Sequence, residues 1–238
     1  MSDQKSLDQK SRAQKTAESG IAERLAEFIQ KNRRVLLFGF VAAIVILFGF
    51  ATAFTLREKL QERAFRNFDV LDQRFQVLRP YIGSEEINTS RQAELNALLQ
   101  ELNVFTARNW GFAAVRAWAV IAEIHEGEKN WAEAEQAWIS AAKAAGKSYL
   151  APVSLFNAAV AAEEQGNIDS AIDLYTQALD HEDIFPAAAR AQFFIGRLHE
   201  SRNDRQAALE AYRTLLSKWP ADQLWSNLAQ SRIIILSD

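Results

Sequence analysis

Between Val35 and Leu56 the chain runs VLLFGFVAAIVILFGFATAFTL, twenty-two residues without a charge. About 20 such residues cross the hydrocarbon core of a bilayer. A surface helix of a soluble protein keeps polar positions on one side; this segment is apolar all round, so the pattern predicts a transmembrane helix over 35–56. Ala51, Thr52 and Ala53 fit the small-x-small rule of a cleavage site, which leaves a cleaved signal peptide as the competing reading. Against cleavage stand the length of the apolar run and its late start. Gly39/Ala43 and Gly49/Ala53 are spaced for close helix packing, so a homo-oligomeric contact within the membrane is open.

After the apolar run the period changes. Leu60, Ala64, Phe68, Leu71, Phe75 and Leu78 keep a three-four spacing, which predicts one helix over 57–79 ended by Pro80 and Gly83. Leu95, Leu98, Leu99, Leu102 and Phe105 predict a second helix over 90–108, broken at 109–111. Residues 57–110 therefore read as a helical neck or a degenerate first repeat. A coiled-coil stalk is the alternative, although fewer than four heptads are present.

The remaining residues repeat. Segments 131–142, 168–179 and 205–216 each place a small residue four positions before an aromatic: Ala134/Trp138, Ala171/Tyr175 and Ala208/Tyr212, at 37-residue intervals. Each has an upstream helical stretch with its own small position, at Ala122, Ala159 and Gly196. Paired helices at such a period mark a solenoid. The pattern resembles the tetratricopeptide repeat, whose unit is about 34 residues. Matched to that family, the units are 115–148, 152–185 and 189–222. Trp118, Leu155 and Ile195 join the small and aromatic positions. Gln192 departs from the family pattern where a large apolar residue is usual; His125 and His199 depart where an apolar residue or Tyr is usual. The longer period requires extended turns between units. Leu224, Trp225, Leu228, Ile234 and Ile235 predict a final capping helix over 223–237. The fold class expected is all-α: one transmembrane helix, then a TPR-like solenoid of about three repeats with capping helices over 111–238.

Charge refines the layout. Residues 1–34 hold eight Lys/Arg against five Asp/Glu, and residues 115–238 hold eleven against seventeen. A basic tail beside an acidic body places the tail near anionic lipid and disfavours nucleic acid as a partner. Residues 1–19 read as disordered. Ile21, Leu25 and Phe28 share a face, so 21–34 reads as an interfacial helix or a flexible lead-in. Arg24, Lys31, Arg33 and Arg34 before the span balance Arg57, Lys59, Arg63 and Arg66 after it. The short basic tail then decides orientation: N-terminus cytoplasmic, repeats extracytoplasmic.

Little in the chain points to chemistry. His125, His181 and His199 each precede a glutamate, but no HExxH, P-loop, GxGxxG or GxSxG occurs. No cysteine is present to serve as nucleophile or thiolate ligand. Neither a metal, a cofactor nor an enzymatic activity is expected. Acidic pairs such as Glu163 and Glu164, or Glu182 and Asp183, read as solvated turns.

The first helix of each unit predicts a concave face. It carries Arg116, Ala119, Glu123 and Glu126, then Val153, Phe156, Asn157, Val160 and Glu163, then Arg190, Phe193, Arg197 and Glu200. Tetratricopeptide repeats that grip a terminal carboxylate use Lys, Arg and Asn at such positions. Only Asn157, Arg190 and Arg197 fit, so the expected peptide site is an apolar strip of Phe156, Val160 and Phe193 flanked by these polar groups. The alternative buries the two phenylalanines between units. A short tail, one span, a helical neck and C-terminal repeats also resemble the membrane-anchored ancillary subunit family of the bacterial Sec translocon. That resemblance implies an inner-membrane protein whose repeats meet translocon subunits, chaperones or exported chains. A scaffold for envelope assembly or cell division is the alternative, and an enzyme with an unrecognised site is the remote one.

Overall fold

The computed structural model describes residues 2–85 and 87–237, with side chains from residue 30 onward except 36. The backbone is helical from Ser2, against the disorder expected over 1–19, and the side chains of 21–29 lie outside the described residues. The chain divides into two compact units, 1–59 and 60–238.

The first unit is carried by α1 (Ser2–Leu78), whose regular dihedrals are interrupted at Asn32. Every described residue from Val35 to Leu56 is exposed. Thr52 and Thr55 return their hydroxyls to the carbonyls of Phe48 and Ala51, at 2.6 and 2.9 Å. The polar groups of this stretch are thus satisfied within the helix, as an apolar surrounding demands. This helix is long and apolar enough to cross a membrane.

The second unit is helical throughout its described residues. The end of α1 turns through a short 3-10 helix (Arg79–Tyr81) into α2 (Thr89–Arg108). Leu71, Phe75 and Leu78 of α1 are buried with Leu95, Leu98 and Leu102 of α2 in the same core as the repeats. Pro80 opens the turn and Gly83 adopts φ +69°, where a Cβ would lie 1.9 Å from the Gly127 carbonyl oxygen. Only glycine permits that backbone approach. It seats the turn after α1 against Gly127.

Three helix pairs follow: α3 (Phe112–Gly127) with α4 (Trp131–Ala145), α5 (Leu150–Glu164) with α6 (Ile168–Leu179), and α7 (Ala188–Ser201) with α8 (Arg205–Lys218). The helix α9 (Gln223–Ser237) packs on α7 and α8 as a cap. Within each pair the connection has the same form. Lys129, Gly166 and Asn203 lie 37 residues apart, all with positive φ, of 61°, 76° and 60°. The next residue donates its backbone N–H to a carbonyl five residues back: Asn130 to His125, Asn167 to Ala162, Asp204 to His199, at 2.8–2.9 Å. These are helix C-caps that reverse the chain in three residues. Asn167 and Asp204 then cap the second helix by accepting from Ser170 and Ala207. The extra length of the period lies between units, in 146–149 and in 180–187 with its 3-10 turn.

The small positions do what the spacing requires. Ala122, Ala134, Ala159, Ala171 and Ala208 are fully buried. A Cβ at Gly196 would come within 2.5 Å of the Tyr212 ring. Gln192, the polar departure from the family pattern, is buried and donates from Nε2 to the Ala211 carbonyl at 3.1 Å. A buried amide is tolerated there because a backbone carbonyl of the facing helix accepts from it.

Candidate functional site

A second 37-residue series accompanies the aromatics. Glu126, Glu163 and Glu200 stand near the ends of α3, α5 and α7, each accepting a hydrogen bond from the aromatic of the following helix. Trp138 Nε1 donates to Glu126, Tyr175 Oη to Glu163 and Tyr212 Oη to Glu200, each at 2.6 Å. In the last two units a guanidinium from the next element joins the other oxygen: Arg197 of α7 on Glu163 and Arg232 of α9 on Glu200. In these two units glutamate, aromatic and arginine form the rungs of a ladder, which tie unit two to unit three and unit three to α9. The Arg232 hydrogen bond is the main cause that holds the Glu200 carboxyl below the usual carboxylate range. Burial, reinforced by the glutamate acceptors, pushes both tyrosine hydroxyls up.

This ladder corrects the expectation of a solvated acid at Glu163, while Glu164, Glu182 and Asp183 are exposed as expected. Glu163 is only 14 % exposed and fully engaged. Glu182 pairs with Lys218 of α8 at 2.8 Å. The sequence carried the signal, since Glu126, Glu163 and Glu200 recur in step with the aromatics, but solvent-facing glutamates are common enough at helix ends to hide it.

One large cavity, of about 650 Å³, opens beside units one and two. Its floor is Phe75 of α1, Trp138 of α4 and Phe156 of α5. Glu123 and Glu126 of α3 form one wall, Asn157 and Val160 of α5 another, and Arg79 and Arg190 stand at its edge. Of the six residues expected to bind a peptide, Phe156, Asn157, Val160 and Arg190 meet here.

The other two do not line this cavity. Arg197 is the ladder partner of Glu163, with its guanidinium 4.7 Å from the Phe194 ring centroid. Phe193 packs on Tyr212 and Trp225, each at 5.3 Å between centroids, within the small core beneath α9. Phe156 itself is 6 % exposed, packed on Tyr175, Phe185 and Phe194. Both phenylalanines are therefore packing residues first, as in the alternative weighed from sequence. Phe156 also lines the cavity, and Arg190 lies over its ring and that of Phe194 at 4.9 and 5.1 Å. Ala119, another position expected on the concave face, is buried.

The cavity's electrostatics are set by α3. Burial is the main cause that raises the carboxyls of Glu123 and Glu126 above the usual range. Arg79, 3.2 Å from Glu123, opposes that rise. The Trp138 hydrogen bond opposes it at Glu126, while the charge on Glu123 adds to it. Sequence reasoning missed the contribution of Phe75, Arg79 and Ile82, which come from before α2 and outside the repeats. The described residues hold no cluster of three or more potential metal ligands, and the cavity presents no nucleophile paired with a base.

Comparison with known proteins agrees with this geometry. The tetratricopeptide repeat family matches residues 156–230, from within α5 to within α9. The chain is also 32 % identical over 225 residues to a TPR repeat-containing protein of Treponema pallidum (strain Nichols), covering 90 % of this chain and 93 % of that one. Repeated helix pairs, small positions that let them touch and near full-length similarity to a repeat protein lead to one conclusion: the chain belongs to the tetratricopeptide repeat proteins, helical scaffolds for contacts between proteins.

Proposed function

We propose that this protein is a single-pass membrane scaffold that holds its repeats at the extracytoplasmic face of a bacterial inner membrane and binds other proteins there. In this reading 35–56 spans the bilayer, residues 1–34 stay cytoplasmic, and the repeats meet translocon subunits, chaperones or exported chains. The observation that carries the binding role is the cavity of about 650 Å³, where aromatic and charged side chains from five helices and a turn meet. Concave sites of this size with a few convergent polar groups are the usual form of a recognition pocket. The uncharged, fully exposed stretch of α1 supports the anchor, and the basic tail before it supports the orientation.

Crosslinking in native membranes, with mass spectrometry of the adducts, tests the role. Translocon subunits, periplasmic chaperones or exported precursors are the expected adducts. Wall or division proteins in their place would move the chain to envelope assembly, and soluble cytoplasmic proteins would overturn the location as well.

A further inference from the structure

The ladder is complete in two units and differs in the first. Glu163 and Glu200 each carry an aromatic hydroxyl and an arginine from the element that follows. Glu126 has its aromatic partner, Trp138. The residue in the register of Arg197, however, is Val160, 37 positions earlier. Among the described residues no cation lies in ion-pair contact with Glu126. Arg190 lines the same cavity, but its guanidinium lies over the Phe156 and Phe194 rings. Arg79 is engaged with Glu123. At the two other rungs the space beside the glutamate is filled by a side chain of this protein. At the first rung the corresponding space belongs to the open cavity, with Val160 on its wall.

A carboxylate half removed from water and without a counter-charge is unfavourable, and a cation that reaches it recovers the lost solvation. The chain shows twice what that cation is. In both cases it is a guanidinium, whose planar fork engages a carboxylate in a way a lysine ammonium does not reproduce. Aromatic walls suit the same group, because an arginine stem packs on Phe75 and Phe156 while its head stays polar. We propose that the cavity takes an arginine side chain from a bound polypeptide, whose guanidinium makes on Glu126 the contact that Arg197 and Arg232 make on Glu163 and Glu200. The proposal rests on reading the repeats as a protein-binding scaffold and names the anchor that scaffold selects.

The Trp138 indole N–H, bonded to Glu126, is a direct reporter. The full chain in detergent micelles is titrated with the peptide acetyl-Ala-Leu-Arg-Leu-Ala-amide and with its citrulline analogue, which keeps the shape and removes the charge. The indole resonance, assigned with Trp138→Phe, should shift and saturate with the arginine peptide at least tenfold more readily than with citrulline. Glu126→Gln should abolish that preference. Val160→Arg supplies the missing guanidinium from within, so it should raise the melting temperature and block the peptide, and both effects should vanish when it is combined with Glu126→Gln. Equal binding of the two peptides, an unmoved indole resonance at millimolar peptide, or a Val160→Arg gain that survives Glu126→Gln overturns the proposal. Capture of the same membrane partners by wild type, Glu126→Gln and Val160→Arg also overturns the arginine anchor while leaving the scaffold reading standing. A wild-type chain that prefers the arginine peptide yet captures no protein supports the anchor and fails the scaffold reading.

Discussion

Three glutamates in the same repeat register have different energetics because their surroundings differ. Glu163 faces Arg197 and Tyr175, so its charge is compensated. Glu163→Gln keeps an acceptor for Tyr175 but leaves Arg197 without its counter-charge. Since Arg197 is about half exposed, water screens the loss, and urea denaturation should show a cost of about 1 kcal/mol. Glu126→Gln keeps the acceptor for Trp138 and removes a charge that burial disfavours. It should melt no lower than wild type at pH 7. The sign follows from the raised carboxyl of Glu126. A group whose folded value lies above its unfolded one contributes stability that is present below the ordinary carboxylate range and lost as pH rises through the folded value. The advantage of Glu126→Gln should therefore shrink as pH falls toward that range. Glu123, Asp72, Arg79 and Arg116 share this environment, so wild-type curves alone report the group and the variant isolates one member. Glu200 behaves oppositely. Its lowered carboxyl contributes stability above the ordinary range that is lost on acidification.

At the scale of the element, the connections within units are the most regular feature. Unit two uses Gly166 where units one and three hold Lys129 and Asn203 in the left-handed region. Lysine is poorly suited to that conformation, at a cost of about 1 kcal/mol. Lys129→Gly should raise stability by about 0.5–1 kcal/mol in a thermal melt, even though it enlarges unfolded-state entropy. The buried alanines give the opposite test. Ala171 is fully buried between α5 and α6, so Ala171→Leu should overpack unit two at a cost of about 1–3 kcal/mol. Hydrogen exchange should show the loss spreading into α4 and α7, because repeats draw stability from shared interfaces.

The helices were legible in the sequence for a physical reason. Small-to-aromatic spacing and three-four periodicity report contacts within a unit, which are local in the chain. Gln192 looked like a departure because its partner, the Ala211 carbonyl, lies on the next helix. Phe193 was placed on the concave face by its register alone, yet α9 arrives from thirty residues onward and covers it. The cavity floor was hidden for the same reason. Phe75 and Arg79 reach unit one through the shared core, the Arg79–Glu123 pair and the close approach of Gly83 to Gly127, and no repeat pattern encodes those contacts.

At the scale of the whole molecule, the proposed anchor in α1 precedes a repeat scaffold that holds the cavity of about 650 Å³. Topology comes first. Protease added to the outer face of spheroplasts should degrade the repeats and spare residues 1–34, while an intact chain stays with the membrane fraction. A mature chain beginning at Phe54 would show instead that the apolar stretch is a cleaved signal.

The central claim is that partners engage through the cavity rather than through the surface at large. Photocrosslinking in native membranes from a probe at Asn157, on the cavity wall, compared with one at Glu210, exposed on α8, tests it most directly. Discrete protein adducts from Asn157, absent from Glu210 and suppressed by Val160→Arg, are the predicted result. Equal adducts from the two positions, or none from Asn157 while Glu210 labels a partner, would contradict the account.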